Sequence, residues 1–162
     1  MKSVSDLFPP LLPGDILLYN GSGFVDWAIK FRTWSDVAHV EIYLDDGFST
    51  ASRFGSGVDI YPLRLDGLQY VRRPVIHFDL AAARKFASLM HGMSYGYTDL
   101  GRFYLLNLPT GGLICSQYGD LLLRAAGVMA FAEDYPAGTV SPRDFRVTSL
   151  AKTVWHRPCK SV

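Results

Sequence analysis

Apolar and polar positions alternate through the first half of the chain. "DILLY" (15–19) is a short apolar run, "AHVEIYLDDG" (38–47) alternates and ends on Asp-Asp-Gly, and "FSTASR" (48–53) follows at once. A period of two marks a strand with one buried face, and Asp-Gly between two such runs marks a tight hairpin. "GVDIYPL" (57–63) and "LQYVRRPV" (68–75) read as further strands. Pro62 indicates where pairing ends, because proline has no N–H to give to a ladder.

The period then lengthens. "DLAAARKFASLMHG" (79–92) predicts a helix with Asp79 as N-cap and Gly92 as its stop. "TDLGRFYLLN" (98–107) and "CSQYGDLLLRAAG" (115–127) predict two more, and "SPRDF" (141–145) opens on Ser-Pro, a cap and first-turn pair. One earlier helix is expected over "GFVDWAIKFRTW" (23–34), where Phe24, Trp27, Ala28 and Phe31 recur at helical spacing. Residues 1–13 form a proline-rich lead-in. This order implies an α+β fold, a small antiparallel sheet or partial barrel with helices packed against it, in one domain over 1–162.

Composition narrows the function. About half of the 162 residues are apolar (49%) and 14% are aromatic, enough for a sizeable core. The formal charge is +1 with no dense Lys/Arg stripe, so no nucleic-acid partner is expected. No apolar run reaches the length of a membrane span. "MKSVSDLFPPLLPGD" lacks the apolar core and cleavage site of a signal peptide. The expected location is cytoplasmic or phage-associated, with delivery by a non-classical route left open. Two cysteines, Cys115 and Cys159, make no disulfide framework and no zinc-like cluster, so no metal or organic cofactor is expected.

Cys115 has a distinctive position, just after Gly111-Gly112 and at the start of an apolar helix. The helix dipole there favours negative charge, and first-turn N–H groups are available to an oxyanion. A free cysteine also serves as a small buried hydrophobe, so a base must be found. Of His39, His77, His91 and His156, only His39 opens an alternating strand. If its side chain faces the helix layer, that strand holds the imidazole against the Cys115 helix. Glu41 shares a sheet face with His39 and is the first candidate for a third, orienting group. On "FSTASR", Thr50 and Ser52 share one face while Ser49 and Arg53 share the other; register decides which meets His39. Asp15 and Asp120 read as structural. Tyr118, one turn along from Cys115, reaches the same pocket or packs in the core.

These stretches together resemble a known family. "PGDILLY", "HVEIYLDDG" and "FSTASR" resemble the Gly-Asp strand, the "HVGIYLG" strand and the following hairpin strand of NlpC-type papain-like peptidases. Here the cysteine helix follows the sheet instead of preceding it. That order is similar to the circularly permuted branch, which includes the YiiX-like enzymes and the lecithin retinol acyltransferase group. "CSQ" resembles its "CSE" motif, and "YGYTDLGRF" (95–103) resembles a further element of uncharacterised phage and bacterial members. The resemblance runs from about Pro13 to Gly127. It implies a permuted papain-like fold, Cys115 as nucleophile and His39 as general base. Glu41 stands where relatives carry a small residue, and Thr50, a poorer orienter, is nearest to their usual third position; either Glu41 has taken over the orienting role, or the site has only a dyad, or the site is degenerate. Ser116, Gln117 and Tyr118 become expected substrate contacts. The implied activity is hydrolysis of an amide, most simply in peptidoglycan or a peptide. A lipid esterase or acyltransferase of the same fold, or a non-catalytic binding module, are the alternatives.

Overall fold

The computed structural model describes residues 9–21, 30, 34–96, 113–131 and 139–158. Six strands are found there: β1 (Ile16–Tyr19), β2 (His39–Asp45), β3 (Phe48–Arg53), β4 (Gly57–Pro62), β5 (Leu68–Pro74) and β6 (Ala151–His156). Three helices accompany them: α1 (Leu80–Met90), α2 (Cys115–Ala125) and α3 (Pro142–Val147). The strands make one antiparallel sheet in the order β4-β3-β2-β1-β5-β6. The fold is thus mixed α+β. β6 has no counterpart in the sequence reading, because "AKTVWH" is exposed or half-buried along most of its length and lacks a clean alternation. The helices expected over 23–34 and 98–107, and the Gly-Gly turn, lie largely or wholly outside the described residues.

The β2–β3 hairpin turns on Asp46 and Gly47, both with positive φ (46° and 80°), in a two-residue loop that pairs Asp45 with Phe48. Two successive left-handed residues match the right-handed twist of the flanking strands, which explains the Asp-Gly dipeptide. At the sheet's edge, Pro62 is the last residue of β4 and pairs with Phe48.

The alternation sorts side chains onto two faces. Ile16, Leu18, Val40, Ile42, Leu44 and Val58 pack under Tyr118, Leu122, Leu123 and Phe145 from the helices. Leu17, Tyr19, Leu68 and Val71 form a second cluster on the opposite face, with Val154 and Trp155 of β6. Register places Leu17 opposite Glu41 and Tyr19 opposite His39, so His39 and Glu41 stand in the rows of the second face. Gly119 brings α2 close to the sheet: a Cβ there would lie 3.5 Å from Phe145 and 3.6 Å from Val40.

Buried charges fasten the layers. Asp15 is fully buried, accepts from the Leu12 amide and binds Arg73 of β5 through both oxygens at 2.8 Å. Arg72 donates to the carbonyls of Phe145, Arg146, Thr148 and Ala151, tying the end of α3 and the start of β6 to the sheet. Asp120, buried within α2, pairs with Arg124 at 2.9 Å. Burial raises its pKa. No described helix is long and apolar enough to cross a membrane.

Candidate functional site

His39 is the first residue of β2 and Cys115 the first residue of α2. The two ends meet at the rim of the sheet, and this resolves a difference from expectation. The imidazole belongs to the row facing away from the helices, yet it reaches the thiol because both residues begin their elements. Ser52 on β3 fixes the approach to α2 by donating to the Leu113 carbonyl at 2.8 Å. Gln117 fixes it further, its side-chain oxygen accepting from the Ile114 amide at 3.2 Å. That bond is half of a capping box, a role that Gln and Glu fill equally at this position.

Glu41 lies under the imidazole. Its Oε1 is 3.1 Å from His39 Nε2, and the residue is 1% exposed. With Nε2 turned to Glu41, Nδ1 is the nitrogen that the carboxylate leaves free. Cys115 is a buried free thiol, near enough to His39 to raise the imidazole's pKa. Burial disfavours the imidazolium, but Cys115 and then Glu41 outweigh it and hold the His39 pKa at about 9.

A buried carboxylate needs donors, and here it has several. Arg53 binds it in a fork, Nε to Oε1 and Nη2 to Oε2, each at 3.0 Å. Ser49 Oγ donates to Oε2 at 2.6 Å, and Arg64 Nη2 lies 3.3 Å from Oε1. Burial would raise the Glu41 pKa; the hydrogen bond and charge of His39, with Arg53 and Ser49, bring it well below the usual carboxylate range. Tyr19 completes the wall, its ring 6.1 Å from the imidazole and 4.7 Å from the Arg64 guanidinium. Burial, then the Glu41 charge, pushes the Tyr19 phenol far above its ordinary value.

The structure brings together Cys115, His39 and Glu41 among the expected residues, and leaves the others elsewhere. Thr50, the alternative orienter, faces the helices: its hydroxyl donates to Asp59 O at 3.0 Å and bonds Tyr118 Oη at 2.7 Å. Tyr118 itself is fully buried in the core, where burial pushes its pKa up to about 12. Ser116 is equally buried and donates to Val140 O at 2.6 Å. With Gln117 capping the helix, none of the three expected substrate contacts is presented to a ligand, because the first turn of α2 turns these side chains inward. His91 pairs with Asp59 at the surface, while His77 and His156 are exposed. The sequence reading assigned no role to Arg64 and left Ser49 and Arg53 undecided. The available signal was an acidic residue on a core strand, which requires cations on the same face.

A groove of about 790 Å³ opens beside the cluster, sharing Tyr19 and Arg64 with it and continuing past Asn20, Asp66, Gln69 and Tyr70.

No protein-family model matches the sequence, and no curated protein matches it. Among solved structures, the fold is similar to that of the metalloprotein YiiX (DUF1105) from Escherichia coli O157:H7, with a TM-score of 0.65 and 14% identity. The match covers 90% of this chain and 97% of that one. Among the described residues no three His, Cys, Asp or Glu side chains gather as a metal ion requires. At Glu41 both oxygens already take guanidinium or hydroxyl donors, and two arginines set positive charge where a cation would sit. The Glu41 carboxylate, so engaged, does not fit a metal ion. The chain and YiiX share a fold.

Proposed function

We propose that the protein is a cysteine hydrolase of the permuted papain-like type that cleaves an amide bond. The observation that carries this reading is one constellation: a thiol at a helix start, an imidazole against it, and a buried carboxylate on the imidazole's other nitrogen. Each part has a distinct role. With the thiol proton on His39, the sulfur attacks the substrate carbonyl carbon and a tetrahedral oxyanion forms. The first-turn amides of α2 have no acceptor within the helix and are available to donate to that oxygen. His39 then passes its proton to the leaving nitrogen as the C–N bond breaks, releasing the amine and leaving a thioester on Cys115. Water attacks the thioester, His39 takes its proton, and the acid departs as the thiol is restored. Glu41 keeps the imidazole oriented throughout and favours its charged form.

The groove beside the site, which shares Tyr19 and Arg64 with it, supports a peptide as the substrate class. Asn20, Arg64, Asp66 and Gln69 suit a peptide with backbone and side-chain polar groups better than a lipid chain. A peptidoglycan stem peptide is the proposed form, and an acyl ester is the second substrate to screen.

The test needs no substrate. In a Cys159→Ser chain, iodoacetamide alkylation of Cys115 is followed by mass across pH, with and without His39→Ala. Alkylation near neutral pH at least about tenfold faster with His39 present supports an activated pair. Equal rates with and without His39 would overturn it.

A further inference from the structure

We propose that Arg53 is a positioning residue of this site, its guanidinium fork fixing the Glu41 carboxylate so that Oε1 stays on His39 Nε2. The inference rests on reading Cys115 and His39 as the reacting pair, and it gives a role to a residue outside that pair.

The geometry of a strand creates the need. Residues two apart on a strand stand side by side on one face, about 7 Å apart, and do not converge by themselves. Glu41 must lean along β2 to reach His39, and a three-torsion side chain held by one bond would wander. Arg53 removes that freedom by engaging both oxygens at 3.0 Å in the planar, two-pronged manner that a lysine cannot reproduce. Arg53 is itself held. Its guanidinium lies 3.8 Å over the Tyr61 ring, and Tyr61 is anchored by donating to Gly57 O at 2.8 Å. Ser49 steadies Oε2 from the same strand as Arg53. Arg64 does not act in this way, since it meets the carboxylate through one nitrogen at 3.3 Å, and its side chain is 46% exposed. It supplies charge without geometry. The arrangement also accounts for a carboxylate at position 41, where the resembling family has a small residue: the side chain is tolerated because the neighbouring strand brings its clamp.

The clamp has an electrostatic consequence. Among the described residues, the groups around the imidazole and its carboxylate are Cys115 from α2, Glu41 from β2 and Tyr19 from β1 beside His39, with Arg53 from β3 and Arg64 from the segment after β4 on Glu41. Arg53 offsets part of the Glu41 charge that would otherwise stabilise imidazolium, so it restrains the basicity of His39 while keeping its orientation.

Arg53→Met and Arg53→Lys separate these effects. The His39 titration is followed by NMR of its ring protons, assigned by their loss in His39→Gln, and Cys115 alkylation is followed across pH in the same Cys159→Ser chain. Arg53→Met is expected to raise the His39 midpoint by about one pH unit. It is also expected to slow alkylation near neutral pH by about fivefold or more, as orientation is lost. Arg53→Lys returns the charge without the fork, so the midpoint returns and the rate does not. A merely structural arginine would lower the melting temperature in both variants and leave the midpoint of the folded protein where it was; that result overturns the proposal. Alkylation by Arg53→Lys at the wild-type rate also overturns it, and decides the matter if Arg53→Met does not fold. The midpoints are repeated with Cys115→Ser. A shift that persists there, together with alkylation of Cys115 in the Cys159→Ser chain that ignores His39, refutes the nucleophile reading and not the clamp. His39-dependent alkylation with no effect of Arg53 refutes the clamp alone.

Discussion

Glu41→Gln tests the electrostatic design most directly, because it removes one charge and almost no volume. In the folded protein the carboxylate is fully buried and answers to Arg53, Arg64 and His39. Removing one partner of a buried ion pair costs about 3–5 kcal/mol, since the charges left behind keep their desolvation penalty. Arg53 is 21% and Arg64 46% exposed, so water relieves part of that penalty and the lower end applies, about 3 kcal/mol. For a chain of this length that is a fall of about 6–12 °C in Tm. The pH dependence has a fixed sign. The Glu41 pKa is depressed on folding, so its contribution is present above the unfolded value of about 4.3 and is lost as pH falls through the lower folded value. His39 is opposite: raised to about 9, it contributes fully below about 6.5 and loses that contribution as pH rises through about 9. The pair therefore stabilises most between about pH 4.5 and 6.5. Circular dichroism melts of wild type and Glu41→Gln from pH 2.5 to 10 check this. The Tm gap should be widest in that window and narrow on both sides. A gap below about 2 °C at pH 6, or one that is flat with pH, would refute the assignment of Glu41 as the charge that organises the site.

Two further outcomes follow from the same contacts. Arg72→Met removes the donors to four carbonyls at the end of α3 and the start of β6, and should cost about 3 kcal/mol by urea unfolding; because Arg72 contacts none of the site residues, alkylation of folded Cys115 should keep its wild-type rate. Tyr118→Phe removes one buried hydroxyl bonded to Thr50, which keeps its bond to Asp59 O, so about 1 kcal/mol of stability should be lost with no change in Cys115 reactivity; a large loss of reactivity would return Tyr118 to the site.

Much of the frame was legible along the chain. Alternation located β2 and β3 to within a residue or two, Asp46-Gly47 marked the hairpin, and Asp79 marked the start of α1, where its side chain accepts from the Ala82 amide. These are local matters: a period of two, a dipeptide able to adopt positive φ, and a short acceptor at a helix start. Cys115 and His39 stood out for the same reason, each opening an element whose start is visible in the residues themselves. What remained hidden depends on register and on packing between distant segments. Glu41 was the first candidate and Thr50 the alternative until the β2–β3 pairing set Thr50 opposite Ile42 on the helix face and left Ser49 and Arg53 with Glu41. A slip of one residue would have reversed that choice, because successive side chains in a strand point to opposite faces. Ser116, Gln117 and Tyr118 looked available by their nearness to Cys115, but the way α2 lies on Val40 and Ile42 turned them into the core. Short-range stereochemistry alone marked β2, β3, α1 and α2, and with them His39 and Cys115 as the first residues of two elements. Only the tertiary structure decided which carboxylate meets the imidazole and which arginines hold it, because that requires strands from separate parts of the chain to bring their charged side chains to one face of the sheet.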